Sequence, residues 1–266
     1  MWIAAFLLLQ TILVQRSEPI RTAFFSPAPL TRQASAERPG IAHLEDVENL
    51  ILTLTNDVRR QHGLPALLPE ETLRLIARGH SDDMLTRRFF AHVNPDGQNA
   101  ADRIALQHRR LIGVTGENIW SGSGYVITNR RQLAETIIDG WMQSPGHREN
   151  ILRREYTHLG VGVSVRNCEI RATQNFAAVR AYVNWAIPQK VGKGGLLNLS
   201  ITSFPASEAS AERYDYWLSK REQQAGDSIP IMDGTVNVDP GMYTLRFYFP
   251  RPGGFTIYWG PAVEVR

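Results

Sequence analysis

Cysteine is almost absent from this sequence, because Cys168 is the only one among 266 residues. A disulfide within the chain is therefore excluded. A single thiol with no base placed beside it is more typical of a small packed residue than of a nucleophile. We assign Cys168 no catalytic role.

Concentrated positive charge is also lacking, although the formal net charge is +3 and the pI is about 9.2. The basic residues are mostly arginines, scattered in pairs: Arg59-Arg60, Arg87-Arg88, Arg109-Arg110, Arg130-Arg131 and Arg153-Arg154. A nucleic-acid-binding protein usually gathers such charge on one surface and interleaves it with aromatic residues. The pattern predicts no nucleic-acid partner, whereas weak attraction to anionic polymers or lipid headgroups stays open.

No apolar run reaches the roughly 20 residues that a membrane-spanning helix needs. Trp2–Val14 is shorter and is typical of the apolar region of a signal peptide. No basic side chain precedes it and no clean cleavage site follows, so a cleaved signal, an uncleaved anchor and a buried helix all remain open. We predict a signal peptide or anchor over residues 1–16, a Pro- and Ser-rich linker over 17–43, and a secreted or cell-surface protein.

Three helices are predicted in the next part of the chain, from about Leu44 to Gly63, from Glu70 to Arg88, and from near residues 98–102. A fourth begins at Thr128 or Asn129, with apolar residues at helical spacing: Leu133, Ile137, Ile138, Trp141 and Met142. Pro145 and Gly146 should end it. His147 would then lie in an irregular, accessible segment, where it could bind a ligand or transfer protons.

Two more residues attract attention before that helix. His92 directly follows Phe89-Phe90 and precedes the turn Asn94–Gly97. Glu117 lies between Gly116 and the apolar pair Ile119-Trp120, so its carboxylate should be constrained and in need of partners. Each residue also has a purely structural interpretation. His92 could serve only to stabilise the turn, and the Glu117 carboxylate could accept hydrogen bonds from backbone amides.

Alternating residues predict two strands, 156–165 and 172–177, around a turn near Arg166–Glu169. Helices followed by strands indicate an α+β or layered fold. From residue 187 to 266, short apolar runs broken by Gly, Pro and Asp predict a small all-β, sandwich-like domain. Its aromatic residues are expected mainly in its core, and the polar stretch 209–227 is expected to be helical or irregular.

The order of several short motifs resembles one protein family. RRQHGLPAL, FFAHVNPDG, GENI, WMQSPGHRENIL, LGVGV and TQNF follow one another between residues 45 and 180. Together they resemble the CAP superfamily, also called the SCP or cysteine-rich secretory protein domain, in its bacterial form. The resemblance implies a three-layer α-β-α sandwich over residues 44–186, with a cleft in which two histidines and acidic residues converge.

Carried over by motif, His92 and His147 match the two cleft histidines and Glu117 matches the glutamate of the GEN motif. Eukaryotic members have a further carboxylate three residues after the helix tryptophan. That position is Ser144 here, so a four-residue site is incomplete. Asn118 and Gln174 are expected to support the site from behind.

Two imidazoles beside a carboxylate suit a divalent cation such as zinc, with His92 and His147 as ligands, or general acid–base work. No HExxH or GxSxG motif is present, and no cysteine lies near a histidine in these motifs. The resemblance therefore favours a binding module for a metal or a small apolar or lipid ligand, with the C-terminal domain attaching it to a cell surface or wall. A metal-assisted extracellular hydrolase and a purely structural surface protein are the alternatives, and the oligomeric state stays open.

Overall fold

The computed structural model describes residues 40–124, 129–204, 215–220 and 228–266. All of them fall within one compact unit, Ser35–Arg266. Trp2–Val14, Thr128 and the predicted linker up to residue 39 lie outside the described residues. Within the described ranges, no helix is both long and apolar enough to cross a membrane.

The described residues form five α-helices. Their bounds are α1 (Glu45–Gln61), α2 (Glu71–Arg87), α3 (Ala100–Gln107), α4 (Arg130–Gln143) and α5 (Pro145–Leu152). The first three lie close to the predicted limits, because their apolar residues recur at helical spacing and face the core. Asn129 caps α4, since its side chain accepts from the Gln132 N–H.

The prediction for His147 was wrong in one respect, because the chain does not become irregular after α4. Ser144 adopts an extended conformation, with φ −94° and ψ 119°, and α5 begins at once with Pro145. Proline suits the first helical position because its φ is already helical and its missing N–H would have no partner there. His147 therefore stands in the first turn of a second helix rather than in a loop.

The strands of the described residues belong to one sheet. They are β1 (Ala42–His43), β2 (Leu68–Pro69), β3 (Leu111–Ser123), β4 (His158–Arg166), β5 (Glu169–Val183), β6 (Lys190–Val191), β7 (Ile201–Ser203), β8 (Asp215–Lys220), β9 (Ser228–Pro230), β10 (Gly241–Arg251) and β11 (Gly254–Val265). The order is β1-β4-β5-β3-β11-β10-β8-β9, with β2 on β4, β7 on β5 and β6 on β11. The predicted pair β4–β5 is confirmed, and Cys168 is exposed in its turn instead of packed.

Alternating side chains of β4 and β5 separate two helical layers. Phe176 packs with α1, α4 and α5 on one face, and its neighbour Ala177 packs with α2 and α3 on the other. Gly160 and Gly162 of β4 let α2 approach closely, because a Cβ at either position would collide with the α2 backbone. The predicted three-layer α-β-α arrangement is confirmed for this half of the chain.

The C-terminal strands continue from this sheet. Tyr243, Leu245, Phe247 and Phe249 share one buried face of β10, as their alternation predicts. Their core also contains Ile112 from β3, along with Ala181 and Val183 from β5. Two expectations differ from the structure. Residues 215–220 of the supposed crossing form β8, and Phe255, Ile257 and Trp259 are exposed rather than in the core.

Candidate functional site

Glu117 is the centre of the cleft, and its carboxylate is almost fully buried, with a side-chain exposure of 2%. One oxygen, Oε1, lies 2.9 Å from Nδ1 of His92, and the other, Oε2, accepts from Arg103 at 2.5 Å. Arg103 comes from α3 and is itself buried. A buried carboxylate needs such partners because desolvation of an unpaired charge is costly. Glu117 is therefore a fixed acceptor between a cation and an imidazole.

The backbone of β3 places Glu117 there. Gly116 lies against the hydroxyl of Tyr156, where any side chain would collide with the ring. The side chain of Asn150 on α5 donates to the Glu117 carbonyl at 3.1 Å. In the register with β5, Glu117 pairs with Asn175. The Gly-Glu-Asn sequence thus turns its carboxylate towards α3 while α5 covers the opposite face.

His92 presents one free ring nitrogen to solvent. An ionised carboxylate only accepts hydrogen bonds, so Nδ1 of His92 carries the proton and Nε2 keeps its lone pair when the ring is neutral. The His92 side chain is 50% exposed, which leaves Nε2 open to a ligand. Arg103 also holds the His92 carbonyl at 2.9 Å, and His80 donates to the carbonyl of Ala91 at 3.1 Å. Both contacts fix the segment that carries His92.

His147 faces His92 from α5, with ring centroids 6.4 Å apart and planes inclined by 53°. Burial lowers the pKa of His147, and the charge of nearby His92 lowers it further. His147 is therefore neutral near pH 7, as a metal ligand or a proton acceptor must be. Arg59 of α1 anchors the far end of α5, because its guanidinium donates to the carbonyls of Ile151 at 2.8 Å and Arg153 at 2.9 Å.

A row of buried amides connects the two sides of the cleft. Asn118 donates to the His147 carbonyl at 3.1 Å and to Oε1 of Gln174 at 3.1 Å. Gln174 in turn donates to Thr55 at 2.8 Å, and Asn150 donates to Asn118 at 2.9 Å. Asn118, Gln174 and Thr55 are fully buried. These buried hydrogen bonds fix the position of α5 relative to β3.

The spacing of the two histidine rings limits how they could hold a zinc ion. Zinc–nitrogen bonds of about 2.0–2.1 Å keep two ligating ring centres within roughly 6.4 Å of each other, and a tetrahedral angle needs them about 1 Å closer. The observed 6.4 Å is at the outer limit of that range. In the described ranges, no group of three or more His, Cys, Asp or Glu side chains is arranged to hold a metal. The two rings would therefore have to approach each other by about 1 Å to share a tetrahedral zinc ion, with Glu117 supporting His92 from behind.

Sequence reasoning missed Arg103, His80 and Asn150. Asn150 follows His147 by three residues, so recognition of α5 would have placed both on one helical side. Arg103 adjoins the buried Ile104 in a short helix, and a buried arginine implies a nearby carboxylate. His80 is buried on α2, and nothing in its spacing along the sequence links it to Glu117, although its Nε2 lies 3.9 Å from Oε1. Ser144, half-buried between α4 and α5, supplies no carboxylate.

Comparison with known proteins identifies a family over part of this chain. Residues 52–176 match the family model described as CAP, the cysteine-rich secretory protein family. This segment is a CAP domain of the bacterial type.

Two similar proteins come from Bacillus subtilis. YlbC, described as an uncharacterized membrane protein, is 37% identical over 129 residues, covering 48% of this chain and 34% of its own. YkwD, described as an uncharacterized protein, is 34% identical over 119 residues, covering 43% of this chain and 41% of its own. The chain thus spans well under half the length of both relatives. A crystal structure of an extracellular SCP-domain protein from Bacillus anthracis is 32% identical, covers 50% of this chain and 40% of that one, and has a TM-score of 0.42.

Proposed function

We propose that the protein is an exported binding module whose cleft holds a divalent cation, such as zinc, between His92 and His147. The observation that carries this proposal is the buried, doubly paired Glu117, which fixes the His92 tautomer with Nε2 directed outwards. A carboxylate behind a ligating histidine is the usual support for such a ligand. The bound cation would act as a Lewis acid towards a polar group of a molecule bound in the open cleft.

Export is part of the same proposal. The apolar Trp2–Val14 segment is typical of a signal peptide, and the similar Bacillus anthracis protein is described as extracellular. A small apolar or lipid ligand is the other occupant that we consider for the cleft, with its polar end at the two histidines. The C-terminal strands would then attach the module to a cell surface or wall.

Zinc titration calorimetry of the purified chain tests the metal proposal. We expect saturable binding of one zinc ion, lost in His92→Ala and in His147→Ala. His62→Ala is the control, because it removes an exposed histidine whose ring contacts Arg148 and neither cleft histidine. Equal zinc binding by the wild type and both cleft variants would refute the proposal.

A metal-assisted extracellular hydrolase is a second candidate, favoured by the lowered pKa of His147. A cation held by His92 and neutral His147 would lower the pKa of a bound water, and that water could act as the nucleophile in hydrolysis. We would incubate the zinc-loaded chain with peptide and peptidoglycan panels and compare wild type with His147→Ala. Products formed by the wild type but not by His147→Ala would support an enzyme. Identical product profiles would leave the binding module as the proposed function.

A further inference from the structure

A second feature lies away from the cleft, on strand β11. On one side, β11 pairs with β10 from Gly254 at its start to Val265 at its end. On the other side, it pairs with β3 only at Trp259 and with β6 only at Glu264 and Val265. Among the described residues, no strand pairs with this second edge along Gly254–Tyr258. This stretch is therefore an edge strand five residues long.

The side chains along this stretch are unusual for an edge. Phe255, Ile257 and Trp259 alternate on one face and are 49%, 43% and 47% exposed. Protein edges that are meant to stay unpaired usually carry lysine, proline or inward-pointing charge. Here Gly254–Trp259 reads GFTIYW and has no charged residue and no proline. An exposed apolar row on an open edge is the pattern that marks an interaction surface.

The strand is held rigid on its paired side. Tyr248 of β10 meets Phe255 edge-on with ring centroids 6.2 Å apart, and the Arg246 guanidinium lies 5.3 Å from the centre of the Trp259 ring. On the opposite face, Tyr258 packs into the C-terminal core against Phe249 at 5.4 Å. The open edge is therefore already shaped as a strand, and a partner would not have to order it.

We propose that Gly254–Tyr258 binds an extended peptide of another protein by strand addition to the sheet. An open strand edge offers backbone N–H and C=O groups, which an extended polypeptide can match along its whole length and a lipid chain cannot. Alternate apolar side chains of the peptide would pack on Phe255, Ile257 and Trp259. The ligand class is thus a peptide with apolar residues at every second position.

The surroundings favour a single peptide over a second copy of this chain. β3 already occupies the edge of β11 at Trp259, so two copies of β11 could pair over at most residues 254–258. A separate peptide could end at Trp259 and place a side chain in a cavity of about 230 Å³ at the junction of β3, β11 and α3. That cavity is lined by α3, Trp259 and Thr115, two residues before Glu117.

Fluorescence anisotropy with a labelled Thr-Val-Thr-Ile-Thr-Val-Thr peptide tests the proposal on the full wild-type chain. We expect saturable binding, and no binding of a peptide of the same composition with its apolar residues adjacent. Two further peptides carry N-methyl groups on alternate residues. In one peptide they block the N–H groups along one edge, and in the other they block those along the opposite edge. One set should weaken binding about tenfold or more, since each lost hydrogen bond costs about 1 kcal/mol, and the other set should bind normally. Absence of binding, or equal binding of both methylated sets, would overturn the proposal.

Variants locate the site. Ile257→Lys and Phe255→Lys should each weaken peptide binding about tenfold while zinc binding stays unchanged, and Met232→Lys is the control because Met232 is an apolar residue 72% exposed outside β11. If the β11 variants misfold by circular dichroism, the methylated peptides on the wild type still decide. Light scattering that reveals a dimer abolished by Ile257→Lys would instead assign the edge to a second copy. Loss of phosphatidylglycerol-vesicle binding in the same variant, without peptide binding by the wild type, would assign it to a membrane.

Discussion

Glu117 and Glu70 are both carboxylates removed from most solvent and facing histidines, but the two clusters differ in how far solvent reaches the imidazole rings. Glu70 caps α2 by accepting from the Leu73 N–H, and its Oε1 lies 3.4 Å from Nε2 of His108. His108 is buried, and its Nδ1 accepts from the Leu111 N–H at 3.1 Å. Both of its ring nitrogens thus face protein. In the cleft, the half-exposed His92 keeps one nitrogen free.

This difference separates a cluster that only stabilises the fold, which we call the brace (Glu70, His108, His158 and Tyr182), from a cluster that can bind a ligand. His108 stacks on Tyr182 with centroids 6.1 Å apart, and His158 meets the same ring edge-on. Burial would raise the pKa of Glu70, but the nearby His108 imidazole and hydrogen bonds from the α2 backbone lower it below its ordinary value. The Glu70 cluster therefore stabilises the joint between α2, α3 and β5. The same residue types can bind a ligand only where a nitrogen is left without a protein partner.

The largest stability effect is expected from Glu117→Gln. The substitution would leave the Arg103 guanidinium buried without its anionic partner, and breaking a buried ion pair in this way costs about 3–5 kcal/mol. Urea unfolding of the wild type, Glu117→Gln and a control variant measures this loss of stability. The control is Glu135→Gln, which breaks an exposed pair with Arg131 and should cost less than about 1 kcal/mol. Equal losses in the two variants would mean that Glu117 is not the electrostatic centre of the cleft.

Acid should destabilise the fold through histidines of both clusters. Burial lowers the pKa of His80, His147 and His158 below the ordinary 6.5. As the pH falls through 6.5, the unfolded chain binds protons that the folded chain refuses, so the free energy of unfolding decreases until the folded pKa values are passed. Each unit of difference contributes about 1.4 kcal/mol. Urea unfolding between pH 7.5 and 5.5 measures this slope.

His158→Phe sharpens that experiment, because it removes one titrating ring beside Phe204 and Tyr182. We expect a shallower dependence on pH than in the wild type. His62→Ala provides the reference for loss of an exposed histidine. If the slope is unchanged in His158→Phe, His158 does not contribute to the pH dependence of the free energy of unfolding. The proposed electrostatic difference between the two clusters would then be wrong.

A smaller effect is expected from Glu70→Ala. The change removes the cap of α2 and the anion beside His108, and loss of a helix cap typically costs about 0.5–2 kcal/mol. Zinc binding should stay at the wild-type level, since Glu70 belongs to the brace. Calorimetric titration and thermal unfolding of the same sample check both results. A variant that loses zinc binding would show that the two clusters are coupled.

The sequence predicted α1 to α4 and the β4–β5 pair, because these depend on local periodicity, but it did not predict α5. It could not predict that β7 pairs with β5, or that β11 meets β3 at Trp259 and Gly113, since such pairings join residues far apart in the chain. The family resemblance indicated His92, Glu117 and His147, but not the buried cation that Glu117 needs. Arg103 could be assigned only when α3 was seen across from β3. The exposure of Phe255 and Ile257 depends in the same way on which distant elements of the described residues pack on that face of β11.

The smallest stability effect is expected from His92→Ala, and it tests the contrast most directly. The ring is half-exposed, and Glu117 keeps its pairing with Arg103 after the change, so unfolding should be easier by less than about 1 kcal/mol. Zinc binding should nevertheless be lost, because only one imidazole of the pair would remain. Urea unfolding and zinc titration of one preparation separate the two quantities. A loss of stability as large as that of Glu117→Gln, with zinc binding intact, would make His92 a brace like His108 and would favour a structural role for the whole cleft.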